Sequence, residues 1–191
     1  MGGNPQKSGI VNMANFFGYG SLVNLRTHNY QNPKPTQVIG WQREWVSSTI
    51  RDVAFLSVKP SKKITLQGMS ASTKNIGWKA LDIRETGYYR HKLINLDMQM
   101  YIGDPKTINN HVKQPILLSY LDCVIQGYHE HFGEQGVIDF FATTFNWDYP
   151  IFNDRNLPQY PRAITLKQFE QDLVDYHLAQ LRNSKHIFLS A

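Results

Sequence analysis

The order of the periodic segments predicts an α+β fold, in which strands interrupted by one helix are followed by helices. Two observations carry this. Segments rich in β-branched and aromatic residues dominate the first hundred positions, with helical spacing confined to one stretch around Trp78, Leu81 and Glu85. Beyond Pro115 the apolar residues recur at helical intervals instead. The sheet is expected to curl into a small mixed, partly closed β-barrel with surrounding helices and a helical C-terminal part.

The elements follow in order. Residues 1–13, rich in Gly, Asn, Ser and Lys and without a period, are expected to be a flexible leader, and 14–191 a single domain. Residues 15–19 read as a strand ending at a glycine turn, and 32–35, with two prolines, as a loop. Residues 36–49 carry Val38, Ile39, Trp41, Trp45 and Val46 and read as one long or bulged strand. Two further strands, 53–59 and 64–71, flank a turn bearing Lys59, Lys62 and Lys63. A helix is expected over 74–86, with Gly87 as its C-terminal cap. Strands return at 88–96 and 99–102. Pro115 is expected to open a helix that places Leu117, Tyr120, Leu121, Val124 and Tyr128 on one face. Residues 136–143 form another helical stretch, 146–161 an irregular segment with three prolines, and 166–181 a closing amphipathic helix.

Composition narrows the function classes. A chain of 191 residues with 41% hydrophobic and 13% aromatic content has material for a real core. A single cysteine, Cys123, excludes an intrachain disulfide and suits a reducing compartment. No stretch has the length of a membrane span, and the N-terminal residues lack the apolar core of a signal peptide, so a cytoplasmic location and no membrane partner are expected. The net charge of +5 raises nucleic acid as a partner. The basic residues are scattered, however, where a nucleic-acid surface calls for a stripe interleaved with aromatics, so none is expected. A basic surface also suits an enzyme of small anionic substrates.

Two motifs carry the chemistry. Phe16-Phe17-Gly18-Tyr19-Gly20-Ser21-Leu22 reads as an apolar strand running into a turn where glycines let the backbone approach a ligand. Amides exposed after Gly20 could hold a carboxylate or a carbonyl oxygen, although a plain tight turn would need the same glycines. Leu81-Asp82-Ile83-Arg84-Glu85-Thr86-Gly87-Tyr88-Tyr89-Arg90 places a carboxylate at a helix end just before a tyrosine pair. Glu85 extends the apolar stripe of Trp78 and Leu81 and lies in the last helical turn, where the helix dipole is negative. Both effects raise a carboxylate's pKa, and a glutamate so tuned can accept and return a proton. A surface glutamate paired with Arg84 or Lys79 is the competing reading.

Other groupings are weaker. His129 and His131 point apart on a helix and read as solvated rather than metal-binding. Cys123 reads as core, and no serine–histidine–acid triad can be assembled. Asn153-Asp154-Arg155 reads as a self-bonded loop, or else as an arm over the pocket that selects a leaving group.

The two motifs together resemble the gamma-glutamylcyclotransferase family. The resemblance continues through Gly40-Trp41, residues 115–127, and a stretch holding Phe141-Ala142-Thr143-Thr144, Trp147, Pro150, Asn153-Asp154-Arg155 and Tyr160-Pro161-Arg162, which is similar to a bacterial branch. It implies binding of a γ-glutamyl group by Tyr19, Gly20, Ser21 and Leu22, with Glu85 as general acid/base. It further implies a pocket tyrosine, for which Tyr89 matches the spacing best and Tyr88, on the opposite strand face, is second choice. The implied partner is a small γ-glutamyl compound, with release of 5-oxoproline and with no metal or cofactor required. A noncatalytic small-molecule-binding domain on the same scaffold is the alternative.

Overall fold

The computed structural model describes residues 14–188, and side chains up to residue 182. The leader expected over residues 1–13 lies outside the described residues. Strand β1 (Asn15–Gly18) runs into two short 3-10 turns, Ser21–Val23 and Leu25–Thr27. The long strands β2 (Gln31–Ser48) and β3 (Arg51–Ser72) follow, then helix α1 (Trp78–Arg84), β4 (Tyr88–Leu93) and β5 (Met98–Gly103). After them come β6 (Ile116–Leu117), α2 (Leu118–Thr143), β7 (Thr144–Phe145), β8 (Ile151–Phe152) and α3 (Gln168–Phe188). The chain is thus α+β. No described helix is long and apolar enough to cross a membrane.

Six strands form one mixed sheet in the order β4-β5-β1-β3-β2-β7, and β6 pairs with β8 in parallel. Where a partly closed barrel is expected, the sheet is open: β4 and β7 are its two edges and do not pair with each other among the described residues. The sheet is nevertheless curled. The C-terminal part of β3 pairs with β1 (Gly18 opposite Met69), while its N-terminal part bends back until Ser57 Oγ accepts a hydrogen bond from the Gly103 N–H of β5 at 3.1 Å.

Strand β1 is covered on both faces because successive side chains point to opposite sides. Phe16 packs with Leu22, Tyr30, Ala71, Leu81 and Tyr101 in a cluster beneath α1. Phe17 belongs to the larger cluster that holds Leu121, Val124 and Tyr128 of α2. Beyond the end of β1, the chain is therefore flanked by α1 and α2.

Several boundaries differ from expectation for identifiable reasons. Residues 32–35 belong to β2, with a bulge between Gln31 and Lys34 and Asn32 at φ 52°. Prolines are tolerated there because this half of β2 is an edge: β7 pairs only at Arg43 and Glu44. The lysine turn is a bulge inside β3, where the register moves from Ile39 opposite Thr65 to Trp41 opposite Pro60, across Gly40 at φ 91°. Helix α1 is shorter than 74–86 because Gly77, at φ 85°, lies outside helical geometry and ends it on the N-terminal side. Pro115 does not open α2; two residues of β6 intervene. The two helical stretches expected after Pro115 are joined in α2 across a kink at Gly133 (φ 66°, ψ −166°).

Candidate functional site

Past Gly18 the chain leaves the sheet at Tyr19 and Gly20 and enters the 3-10 turn, whose first bond runs from Val23 N–H to Gly20 C=O at 2.9 Å. The N–H groups of Ser21 and Leu22 thus precede the first bond of the turn and have no partner within it. Tight packing holds this corner. A Cβ on Gly18 would meet Leu22 Cβ at 2.4 Å, and one on Gly20 would meet the Tyr120 hydroxyl at 2.8 Å. Tyr19 is buried and gives its hydroxyl to Tyr101 C=O at 2.6 Å, so its backbone rather than its phenol is what it offers a ligand. Its carbonyl receives the Tyr128 hydroxyl at 3.0 Å.

Glu85 caps the C-terminus of α1, its N–H bonded to Leu81 C=O at 2.9 Å. Its side chain, 15% exposed, lies with Arg84 Nε 3.3 Å from Oε1. Burial raises the Glu85 pKa above the ordinary glutamate range, and Arg84, Arg162 and Arg51 oppose that rise without cancelling it. Arg84 also joins the two motifs: its guanidinium donates to Thr27 C=O at 3.0 Å, Thr27 Oγ1 at 3.0 Å and Ser21 Oγ at 3.2 Å. The carboxylate and the glycine turn are therefore fixed against each other by one side chain.

They share one concavity. A cavity of about 100 Å³ is lined by Ser21, Arg51, Glu85, Tyr88, Tyr120 and Arg162, among others. A smaller space of about 30 Å³ beside it is lined by Tyr19, Gly20, Ser21, Leu22, Glu85 and Tyr88. All the expected site residues except Tyr89 thus border the same region.

Tyr89 lies apart from this region. It is 43% exposed, whereas Tyr88 borders both spaces and donates its hydroxyl to Leu56 C=O at 2.9 Å. The facing follows from α1. Tyr88 and Arg90 share the strand face that α1 covers, Tyr88 packing against the cluster that contains Leu81 and Arg90 lying over the Trp78 ring at 4.8 Å. Tyr89 and His91 take the other face, where His91 meets Trp41 at 5.0 Å. Spacing after the glutamate does not say which face the helix covers.

Sequence reasoning missed most of the remaining wall. Tyr120 was legible only as part of the apolar face of α2, yet its ring packs edge-on against Tyr160 at 5.0 Å in the cavity. The buried Tyr160 hydroxyl lies by Ser21 without a hydrogen bond of normal geometry among the described residues. Burial pushes the Tyr88 and Tyr120 phenols well above their usual range, so both stay protonated. Tyr160 and Arg162 stood out in sequence only as part of the Tyr160-Pro161-Arg162 run, and nothing pointed to Arg51.

The segment 153–162 is a strap anchored to its surroundings. Asp154 accepts from the Ser119 N–H (2.8 Å), the Ser119 hydroxyl (2.6 Å) and the Gln159 N–H (2.8 Å). Arg155 pairs with Asp122 at 2.7 Å and Asp175 at 2.8 Å, outside the cavity. Within the Asn153-Asp154-Arg155 run the self-bonded contact is the Arg155 N–H to Asn153 Oδ1 at 3.2 Å; the others reach Gln159, α2 and α3, and the strap sets Tyr160 and Arg162 over the pocket. Cys123 is buried, its thiol pushed up to about 12 by burial. Among the described residues no group of three or more His, Cys, Asp or Glu side chains is placed to hold a metal.

No protein-family model matches the chain, and no curated protein does. Solved structures do match. One is a gamma-glutamyl cyclotransferase, 13% identical, with a TM-score of 0.47, over 85% of this chain and 98% of the other. A yeast gamma-glutamyl cyclotransferase specific to glutathione is 12% identical, with a TM-score of 0.42, over 87% and 95%. An uncharacterized human protein is also 12% identical, with a TM-score of 0.48, over 84% and 97%. None at this identity transfers a residue's role.

Proposed function

We propose that this protein is a cyclotransferase that releases 5-oxoproline from a small γ-glutamyl amide. The α-amine of the γ-glutamyl group attacks its own γ-carbonyl; the new C–N bond closes the five-membered ring and the amide C–N bond breaks. One proton passes from the attacking nitrogen to the leaving nitrogen, and Glu85 carries it, first as base and then as acid. Both reacting groups belong to one molecule, so the protein's main task is to hold a folded conformer.

The observation that carries this reading is the raised-pKa carboxylate of Glu85 on the same cavity wall as Ser21 and the glycine turn. The Ser21 and Leu22 amides suit the glutamyl carboxylate or carbonyl. The unpaired Tyr160 hydroxyl can donate to the oxyanion, which a preorganised donor stabilises without reorganisation. Tyr88 gives its proton to Leu56 C=O, so it faces the ligand as an acceptor, toward the α-ammonium.

The ion pair with Arg84 favours a second reading, a noncatalytic binding domain in which Glu85 is a structural partner. Replacement of Glu85 by Gln separates the two. A proton carrier loses turnover by about a hundredfold to ten-thousandfold while the substrate still binds. If γ-glutamyl compounds bind but no 5-oxoproline forms even with the unaltered protein, the domain is a binder.

A further inference from the structure

The cavity holds more positive charge than its own groups use. Arg51, Arg84 and Arg162 line it against a single carboxylate, Glu85. Arg84 is already committed to Glu85, Ser21 and Thr27. Arg51 donates to the Thr86 carbonyl and lies over the Phe55 and Tyr88 rings at 5.2 and 5.6 Å, with no carboxylate partner among the described residues. Arg162, on the strap, acts on Glu85 through its charge but has no direct ion pair or hydrogen bond among the described residues, and it stands two positions from Tyr160 on the cavity wall.

Three guanidinium groups share the one Glu85 carboxylate, so the site has room for a further anion that the ligand brings. A γ-glutamyl group supplies one ammonium and one carboxylate. The ammonium suits Glu85, and the carboxylate suits the glycine turn beside Arg84. That leaves Arg162 and Arg51 facing the part of the ligand that departs.

Resting on the cyclotransferase reading, we infer that Arg162, supported by Arg51, forms a carboxylate subsite for the leaving group. The substrates are then γ-glutamyl amino acids or peptides, and γ-glutamyl amines without that carboxylate are discriminated against. The strap that carries Arg162 is anchored by Asp154 and Arg155 rather than by the ligand, so the subsite is formed before binding.

The test uses a matched pair, γ-glutamylglycine and γ-glutamylmethylamine, which differ only by a carboxylate. The unaltered protein should favour γ-glutamylglycine in kcat/KM by about tenfold to a hundredfold, the range of a charge-assisted hydrogen bond. Arg162→Gln should bring that ratio close to one, and Arg162→Lys should restore part of it, because an ammonium keeps the charge but not the fork. A change that only loosened the strap would lower both substrates together and leave the ratio in place. An unaltered protein without preference, or a ratio untouched in Arg162→Gln, overturns the subsite. If neither compound yields 5-oxoproline, calorimetric affinities for the same pair judge the subsite, and a wider panel of leaving groups judges the cyclotransferase reading. A preference for γ-glutamylglycine that Arg162→Gln removes supports the subsite; equal binding, or none, overturns it.

Discussion

At the scale of single residues, Glu85 has two opposed influences, burial that raises its pKa and three guanidinium groups that lower it. Its base form is the ionised one, so kcat/KM should rise with pH along an acidic limb whose midpoint lies above about 4.5, the ordinary value. Arg84→Gln removes an attraction that favours the charged form, and the limb should move to higher pH even as activity falls. A limb that stays in place would mean that another group titrates. The tyrosines make a second comparison. Tyr88→Phe should reduce turnover several-fold and cost about 1 kcal/mol of stability, since it removes a pocket hydroxyl bonded to Leu56 C=O. Tyr89→Phe should leave kinetics within about twofold, its ring being largely exposed. Glu85 could be picked out because its helix position, apolar neighbours and place before a glycine are all local. The facing of Tyr88 could not, because it depends on where α1 lies across the sheet.

At the scale of elements, the strap from 153 to 162 shows how a segment without regular structure becomes a fixed wall. Asp154 is 4% exposed; burial opposes its ionisation, but the hydrogen bonds from Ser119 and Gln159 outweigh that and hold its pKa below the ordinary value. Asp154→Ala strands those donors and should cost about 2–4 kcal/mol in chemical denaturation, with turnover falling as Tyr160 and Arg162 lose their position. The pH dependence has a definite sign. A depressed folded pKa contributes stability above the ordinary aspartate value of about 3.9 and loses it as pH falls through the folded value. The gap between the unaltered protein and Asp154→Ala should therefore narrow below about pH 4. The Asn153-Asp154 pair was readable as a loop that bonds to itself. Its main partner, Ser119, is 35 residues away, and no local pattern announces it. In the same way, the prolines of β2 read as a loop because edge position is a property of the assembled sheet.

At the scale of the whole molecule, Arg43 ties the layers together. It is 1% exposed and forms no ion pair among the described residues. Its guanidinium donates to Thr144 Oγ1 (3.0 Å), Gln67 C=O (3.1 Å), the Tyr128 hydroxyl (2.6 Å) and Thr143 Oγ1 (2.8 Å), and lies 4.5 Å from the Phe140 ring centre. This one side chain links β2, β3, α2 and β7, and through Tyr128 it reaches the Tyr19 carbonyl at the start of the glycine turn. Arg43→Lys keeps the charge but not the fork, and should cost about 3 kcal/mol or more by denaturant titration. A loss below about 1 kcal/mol would mean that water or repacking replaces the fork. The α+β class was legible because strand and helix periods separate cleanly along the chain. The open edge of the sheet was not, since closure depends on how far β3 bends.

The direct trial of the catalytic reading is 5-oxoproline release from a panel of γ-glutamyl compounds, with the unaltered protein and Glu85→Gln side by side. The panel should span an amino acid, a peptide and an amine as leaving groups, with binding and thermal unfolding followed on the same samples. The expected result is release from at least one compound by the unaltered protein. In Glu85→Gln release should fall by about a hundredfold or more, with the fold and the binding of that compound retained. Undiminished release by Glu85→Gln, or no release of 5-oxoproline from any member by the unaltered protein, would contradict it.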